Sequence, residues 1–488
     1  MNAFANVLLT PFLLAKLGVS EFGLYQLVFS FVGYLTILNF GTGVVTNKFI
    51  SKYRVQRDKI GEENFLATIF LITGLLTMIT LIIGVIIVNN LSSIFVNLTV
   101  DEVFRAKNVF ILMVINIAIL MFVSNFEGLT IAYEKYKLPN VIKIVRLLIR
   151  VGMIVLLINA GYSIIAIASI DLILSVFTLV INFLYSKIIL KVRIKLHKID
   201  KSLINSTLFF SLALVIQAIV GQINLNVDKV ILGIMTSTEI VALYSLAMII
   251  FSFFNMLTSS LYNFYVPEAV FLVNNDASGE ELTNFVIKPG RFIFMIIGGI
   301  FLGFFLFGKY FVILWVGEAF LDIWKITLLL MAPAIIPMIQ SVCVSILNAK
   351  DKRMFRSVIS VLIGVINVIA TIFLVRYMGY FGAAIATSVA LILGDIIVMN
   401  LYYSKVLKIK VVYLFKGIFK GILPSLLITY LISIPLTIIY DNNILTFLLS
   451  GIIYLIIYLT TIYIFGLNDS EKVILKSLLK KIHIKKVI

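Results

Sequence analysis

The chain has 488 residues, of which 61% are hydrophobic and 13% are charged, and its mean hydropathy is +1.13. Soluble domains contain roughly half apolar and roughly a quarter charged residues, so this composition predicts a membrane protein. One cysteine and two histidines are too few for a disulfide framework or a Cys/His metal cluster.

Apolar runs predict fourteen transmembrane helices, because each run approaches the length of about 20 residues that spans a hydrocarbon core. In chain order, predicted helices 1 to 14 cover residues 3–17, 23–47, 65–88, 108–132, 141–158, 163–186, 203–235, 240–266, 290–316, 322–347, 357–375, 380–403, 416–439 and 444–465. The fold class is therefore predicted to be all-α and integral to a membrane. The loops are too short for a soluble catalytic domain, and the sequence has no complete phosphate-binding loop motif, so we expect no enzymatic activity.

The basic residues predict the orientation of the chain. Most of the 40 lysines and arginines lie in loops after even-numbered predicted helices or in the C-terminal tail. Cytoplasmic loops carry such an excess, so both termini are predicted to be cytoplasmic. The net charge of +17 then reflects topology and contact with anionic lipid headgroups. Membrane lipids, rather than nucleic acid, are the expected partners.

The first half of the chain recurs in the second half at an offset of about 218 residues. Three matches occur in the same order: Ala132-Tyr-Glu-Lys with Ala349-Lys-Asp-Lys, Gly161-Tyr with Gly379-Tyr, and Ser20-Glu with Thr238-Glu. Six helices per repeat is an even number, so the repeats insert with the same orientation. Such parallel repeats are related by a pseudo-two-fold axis along the membrane normal, with a substrate site between them near the midplane.

The repeat predicts three domains. An N-terminal lobe of predicted helices 1–6 covers residues 1–200, and a C-terminal lobe of helices 7–12 covers residues 201–404. Helices 13 and 14, with a basic cytoplasmic tail, occupy residues 405–488. The offset aligns Asn6 with Asn224, so predicted helix 1 lacks roughly its first four turns relative to helix 7.

Predicted helix 5 carries three cations on one face. Lys143, Arg146 and Arg150 are spaced i, i+3 and i+7, which places them on one side of a helix. Arginine binds phosphate oxygens bidentately, so this stripe is a candidate site for a diphosphate. The alternative is a structural ion pair of Arg146 with Glu127 or Asp171.

The second repeat does not carry these charges. Ile363 and Asn367 stand at the positions of Arg146 and Arg150, and Val344 stands at the position of Glu127. Packing of the shared architecture therefore does not require the charges, which favours a functional role.

Predicted helix 7 carries a polar stripe in an apolar helix. Gln217, Gly221, Asn224 and Asp228 follow each other at i, i+4, i+7 and i+11, so they share one face. Lys229 points about 100° away. Ionisable residues inside a membrane usually face a cavity or a partner. The stripe is therefore predicted to line a cavity, with a structural Asp228–Lys229 pair as the alternative.

Four acids within predicted helices are candidates for coupling transport to a proton or sodium gradient: Asp228, Asp171, Asp395 and Glu127. Acids at membrane depth often serve as proton relays. We expect no other cofactor and no metal site.

Four runs are characteristic in sequence: PFLLAKLGVSEFGLYQLVFS, YEKYKLPNVIKIVRLLIR, NLNVDKVILG and MGYFGAAIATSVALILG. They resemble the polysaccharide transporter family, the O-antigen or repeat-unit flippases of the multidrug/oligosaccharidyl-lipid/polysaccharide exporter superfamily. The resemblance implies a flippase of the bacterial cytoplasmic membrane. Such a protein moves undecaprenyl-diphosphate-linked oligosaccharide from the cytoplasmic to the outer leaflet by alternating access, for O-antigen or capsule synthesis.

The same resemblance implies a central cationic cavity and possible polysaccharide polymerase or assembly partners. The candidate substrate-binding residues are Lys143, Arg146, Arg150, Gln217 and Asn224. Predicted helices 13 and 14 are almost uniformly apolar, which suits a groove for a polyprenyl tail and equally suits helices that brace the lobes.

Alternative functions remain open at this point. A peptidoglycan-precursor flippase shares the fourteen-helix plan. A drug or cation antiporter of the same superfamily is expected to have an acidic cavity and twelve helices. The arginine stripe and the two additional helices argue against this function. A membrane polymerase or glycosyltransferase needs a large external loop, and a major-facilitator transporter needs a Gly/Asp/Arg signature that TNKFISKYRVQRDK lacks.

Overall fold

Helices account for all the regular structure in the part of the chain that the computed structural model describes, residues 2–438 and 443–473. The predicted all-α membrane class is therefore confirmed. The last residue of predicted helix 13 and the basic tail beyond residue 473 lie outside the described residues.

The first compact unit comprises Met1–Ser245 and Thr371–Ala383. Its α-helices are α1 (Asn2–Leu17), α2 (Val19–Gly33), α3 (Thr42–Gln56), α4 (Lys59–Asn89), α5 (Leu91–Ile94), α6 (Val100–Ala132), α7 (Lys137–Asn159), α8 (Ile164–Leu184), α9 (Lys201–Met235) and the first turns of α10 (Thr238–Tyr262). A 3₁₀ segment, Tyr34–Asn39, follows α2, and a π segment, Tyr185–Ile189, extends α8.

The second unit comprises Leu246–Ala370 and Ala384–Ile488. After the remainder of α10 its helices are α11 (Val266–Asn274), α12 (Gly279–Val316), α13 (Asp322–Ile339), α14 (Ser341–Ala349), most of α15 (Arg353–Leu391), α16 (Met399–Val406), α17 (Val411–Phe419), α18 (Ile422–Ser433) and α19 (Ile444–Thr461). The predicted domain boundaries at residues 200 and 404 follow the sequence repeat and stay a prediction.

Helix α6 forms the centre of the first unit, where it packs against α3, α4 and α8. Its crossing with α3 is very close, because a Cβ atom added to Gly128 would overlap the carbonyl of Gly43. Small residues allow membrane helices to approach in this way. Phe65 and Phe126 are buried beside this crossing, so α3, α4 and α6 share one apolar core.

Ten helical segments of the described residues are long and apolar enough to cross a membrane, or eleven if the bent pair α17–α18 is one span. Predicted helix 1 is short, since its apolar part covers Phe4–Leu17. Predicted helix 5 corresponds to α7, where Lys143, Arg146 and Arg150 lower the apolar character. Predicted helices 11 and 12 run together within Met354–Val406. The count of fourteen spans therefore stays a prediction.

Predicted helix 2 is broken in the structure. Its first part ends at Gly33 and its second part begins at Thr42. Between them Phe40 and Gly41 adopt left-handed conformations, which an α-helix does not accommodate. The break therefore divides one apolar run into α2 and α3.

Predicted helices 10 and 13 are also broken. Predicted helix 10 breaks at Gln340, just after the two prolines of α13. Predicted helix 13 starts earlier than expected, at Val411, and bends by 42° where Gly421 takes a φ of 78°. Proline removes a backbone donor and positive φ interrupts the helical path, so both breaks have a local cause.

The internal repeat is also present in the backbone. Residues with positive φ recur at offsets of 217 or 218 residues in three places: Glu134 with Asp351, Gly161 with Gly379, and Lys191 with Lys408. Positive φ is uncommon outside glycine, so matched occurrences at one offset are independent support for a duplicated architecture.

Candidate functional site

An ion pair joins α7 and α8 in the first unit. Arg150 Nε lies 2.6 Å from Asp171 Oδ1, and its Nη2 lies 3.1 Å from Asp171 Oδ2. Tyr25 on α2 adds its hydroxyl 3.4 Å from Arg150 Nη2. Both charged side chains are largely buried, with 21% and 15% exposure. The bidentate geometry fixes the guanidinium plane and neutralises its charge.

The other two cations of the stripe have different surroundings. Lys143 Nζ lies 3.0 Å from Glu127 Oε2 on α6, in a partly exposed ion pair. Arg146 Nη2 instead donates to the hydroxyl of Ser175 at 2.8 Å. Ser175 in turn donates to the side-chain oxygen of Asn116. The structure thus brings all three cations together with Glu127 and Asp171, but the acids pair with Lys143 and Arg150.

Arg146 is therefore the cation of this cluster that is held by a neutral group. No carboxylate forms an ion pair with it among the residues that the structure describes. The cluster contains three cations and two anions, so one positive charge is left over. A guanidinium that has no carboxylate partner can bind an anionic oxygen more readily than a guanidinium that a carboxylate already binds.

The polar stripe of predicted helix 7 divides in the structure. Gln217 and Asn224 are exposed on α9. Asp228 is buried, and it accepts hydrogen bonds from the Tyr244 hydroxyl (2.5 Å) and the Thr371 hydroxyl (3.2 Å). The structure therefore joins Asp228 to two hydroxyl groups that the sequence pattern did not indicate.

The equivalent positions of the second repeat are neutral. Asn367, at the position of Arg150, donates to the Thr387 hydroxyl at 3.3 Å. Asp395 is half-buried in the second unit, where Arg356 interacts with it electrostatically. Asp395 therefore belongs to different surroundings from the α7 cluster, and it stays a separate candidate.

Sequence reasoning missed the neutral members of both clusters: Tyr25, Asn116, Ser175, Tyr244 and Thr371. Single neutral polar residues are common in apolar helices, so outside the stripe of Gln217 and Asn224 they do not stand out in the sequence. The signal that could have found Tyr25 and Tyr244 is their match in the sequence repeat. No group of three or more His, Cys, Asp or Glu side chains that could hold a metal ion occurs in residues 2–438 and 443–473.

Comparisons with known proteins agree with this architecture. The family described as "Polysaccharide biosynthesis protein" matches residues 3–271. No curated protein matches the chain. Among solved structures, the lipid II flippase MurJ in an inward closed conformation has a TM-score of 0.74 and 17% identity, covering 95% of each chain.

Multidrug resistance transporters of the MATE family, in the MOP superfamily, are also similar. An inward-facing structure has a TM-score of 0.68 and 15% identity, and it covers 83% of this chain and 94% of its own. An outward-facing structure has a TM-score of 0.54 and 16% identity, with 83% and 92% covered. At these identities the likeness shows a shared fold.

Proposed function

The chain belongs to the polysaccharide biosynthesis protein family, and from this premise we propose that it flips an undecaprenyl-diphosphate-linked oligosaccharide across a bacterial cytoplasmic membrane. Transport runs from the cytoplasmic to the outer leaflet by alternating access, with both termini cytoplasmic. The product supplies surface polysaccharide such as O-antigen or capsule, so a polysaccharide polymerase is the expected downstream partner.

The observation that carries the proposal is that Arg146, alone among the three cations of the α7 stripe, forms no direct ion pair with a carboxylate among the described residues. Its guanidinium is positioned by Ser175 at 2.8 Å, and its neighbours Lys143 and Arg150 are each engaged by a carboxylate. A diphosphate presents several acceptor oxygens, which a guanidinium can bind bidentately. We therefore assign the diphosphate contact to Arg146 and a structural role to Arg150.

Replacing Arg146 tests this assignment. Arg146→Gln removes the charge but keeps a polar side chain near Ser175, so we expect the initial flipping rate to fall about tenfold or more, the effect of losing a charge-assisted hydrogen bond. The assay uses proteoliposomes with a fluorescent polyprenyl-diphosphate oligosaccharide and an impermeant quencher. Arg146→Lys, which keeps the charge without bidentate geometry, should lose less.

The matched control is Arg376→Gln, because Arg376 is an exposed arginine on α15. It changes the net charge of the protein by the same amount, and we expect its rate to equal that of the unaltered protein. An unchanged rate in Arg146→Gln, with normal protein yield, would contradict the site assignment.

A peptidoglycan-precursor flippase is the second candidate function. Its support is the 95% coverage of this chain by the lipid II flippase fold, against 83% for the multidrug transporters. That difference also disfavours a drug antiporter. A guanidinium does not distinguish one lipid diphosphate from another, so Arg146 serves either substrate. Parallel flipping assays with a polysaccharide repeat unit and with lipid II separate the two, because the proposed function requires the repeat unit to be moved faster.

We propose Asp228 as the acid that couples transport to a proton or sodium gradient. Asp228 is 4% exposed and is bound by the Tyr244 and Thr371 hydroxyls, whereas Asp171 and Glu127 are engaged by cations. A buried carboxylate changes charge when it binds a cation, and it can thereby favour one conformation.

Replacing Asp228 tests the coupling. Asp228→Asn should abolish the stimulation of flipping by an imposed gradient, because the amide cannot take up a proton or neutralise a sodium ion. Glu239→Gln, at an exposed acid on the neighbouring helix α10, is the control and should keep the stimulation. Gradient stimulation that persists in Asp228→Asn would refute the proposal.

A further inference from the structure

A buried carboxylate at the start of α6 joins three helix ends of the first unit. Glu102 is 8% exposed, and its Oε1 accepts hydrogen bonds from Ser20 Oγ (2.7 Å) on α2 and Thr238 Oγ1 (2.8 Å) on α10. Its Oε2 accepts from the backbone and hydroxyl of Thr99, at 2.9 and 3.0 Å. We call Glu102, Ser20 and Thr238 the carboxylate clasp.

The sequence around Thr99 explains why Glu102 is held so firmly. Thr99 and Glu102 form a capping box, in which each side chain bonds the other residue's backbone N–H. One carboxylate oxygen is thereby fixed to its own helix, and the other is left to face α2 and α10. The clasp therefore consists of a fixed acceptor on α6 and two hydroxyl donors on other helices.

The two donors are equivalent positions of the internal repeat. Ser20 and Thr238 are 218 residues apart, and their hydroxyl oxygens are 3.0 Å from each other. The backbones also touch, since a Cβ atom added to Gly23 would overlap the Thr238 carbonyl. The opening turns of α2 and α10 are thus packed against each other directly, with Glu102 bonded to both.

The clasp lies at the end of the helices that the basic-residue pattern predicts to be external. The α1–α2, α5–α6 and α9–α10 connections follow odd-numbered predicted helices, whose loops hold few lysines and arginines. Asn97, in the α5–α6 connection, adds a hydrogen bond to the Ile234 carbonyl at 2.7 Å. The last turn of α9 and the first turn of α10 are therefore both tied to the start of α6.

We propose that the carboxylate clasp is a latch that keeps the external ends of α2 and α10 together, and that transport requires it to open. The inference rests on the proposed transport function. Hydrogen bonds to a carboxylate are stronger than hydrogen bonds between neutral groups, but the carboxylate clasp consists of only three side chains. Such a contact can hold one conformation and still break within a transport cycle.

Cross-linking tests whether these helix ends must separate. In a Cys343→Ala background, which removes the single cysteine, Ser20→Cys and Thr238→Cys place two thiols where the hydroxyls are 3.0 Å apart. We expect oxidation to stop flipping and reduction to restore it. The control pair is Thr429→Cys with Thr461→Cys, whose hydroxyls are 2.6 Å apart between α18 and α19; its oxidation should leave flipping unchanged. Full activity of the oxidised clasp variant, with the disulfide shown to have formed, would overturn the latch.

Thiol labelling tests the role of Glu102 without any transport assay. Ser245 is fully buried and lies on the same face of α10 as Thr238 and Ala242, at i, i+4 and i+7. Ser245→Cys therefore reports opening of α10 to an impermeant maleimide added outside. We expect Glu102→Ala to raise the labelling rate about tenfold or more, from the loss of two hydrogen bonds to a charged group. Glu102→Gln, which keeps the side-chain shape, should give a smaller increase.

The control for this experiment is Glu62→Ala. Glu62 is also a buried carboxylate that accepts a hydrogen bond, from the Tyr133 hydroxyl at 2.6 Å, but it lies at the start of α4, on the side predicted to be cytoplasmic. Its loss should not change labelling of the thiol introduced at position 245. Equal labelling in Glu102→Ala and the parent would overturn the latch. Absence of flipping by the parent protein would instead refute the transport function, and the labelling result would still decide the latch.

Discussion

At the scale of single residues, the Arg150–Asp171 pair illustrates how a buried charge is made tolerable. Both side chains are mostly buried, and two hydrogen bonds of 2.6 and 3.1 Å join the guanidinium to the carboxylate. Removing one partner of such a pair typically costs about 3–5 kcal/mol, because the other charge is left buried and unpaired. Replacing both partners by apolar groups is often neutral.

We therefore predict non-additive effects on stability. Asp171→Asn and Arg150→Gln should each lower the thermal unfolding temperature in detergent, while Arg150→Met combined with Asp171→Leu should recover most of the loss. Thermal unfolding of the purified proteins followed by tryptophan fluorescence measures this. If the double variant instead lowered the unfolding temperature by as much as the two single variants together, the ion pair would not be the source of the effect.

The sequence indicated the residues of this cluster but not its pairing. Helical spacing placed Lys143, Arg146 and Arg150 on one face of α7, and this is a local property of the chain. Which cation faces Asp171 depends on how α7 packs against α8, and Arg146 faces Ser175 as a result. Packing between helices therefore decided which of the three cations has no carboxylate partner.

At the scale of elements, Arg291 on α12 joins the broken helix α17–α18 to the π segment Ile462–Gly466, which follows α19. It is 5% exposed. Its guanidinium donates to the carbonyls of Gly417 (3.0 Å), Lys420 (2.7 Å) and Gly466 (2.7 Å), and to both oxygens of Glu471 (2.7 and 3.0 Å). A helix break frees carbonyl groups that must find donors in a membrane. One arginine supplies these donors.

We predict that Arg291→Gln strongly destabilises this region. It leaves Glu471 without its cation and removes donors from the carbonyls at the break, so the expected loss is roughly 3–5 kcal/mol. Limited proteolysis near α17 and the thermal unfolding temperature both report it. Lys288→Gln, an exposed change one turn earlier on α12, is the matched control and should have no effect. Equal stability of the two variants would contradict this role.

The broken helices show which elements the sequence could outline. Apolar runs located predicted helices 2, 10 and 13, since burial of apolar surface is a property of composition. The breaks at Phe40, Gln340 and Gly421 lie inside runs that are apolar on average, although single polar residues such as Lys420 occur beside them. Hydropathy therefore cannot detect them, and at the α17–α18 break the compensating hydrogen-bond donors come from α12, far away in the chain.

At the scale of the whole molecule, the duplication is symmetric in backbone and asymmetric in charge. Left-handed residues recur at offsets of 217 or 218, so the two repeats turn the chain at corresponding points. At the position of Arg150 the second repeat has the neutral Asn367, which donates to Thr387, and at the position of Asp171 it has Val389. Only the first repeat has a charged residue at the position of Arg150 and Asn367, so the shared scaffold does not require a charge there.

The sequence by itself determined the all-α membrane class, the duplication and the cationic face of α7. These are properties of hydrophobic patterning and local spacing, which the chain carries in its order of residues. Tertiary structure alone decided that Asp171 binds Arg150, that Asp228 meets Tyr244 and Thr371, and that Glu102 joins Ser20 to Thr238. Those contacts depend on which helix faces which over separations of 16 to 218 residues, and no local pattern specifies them.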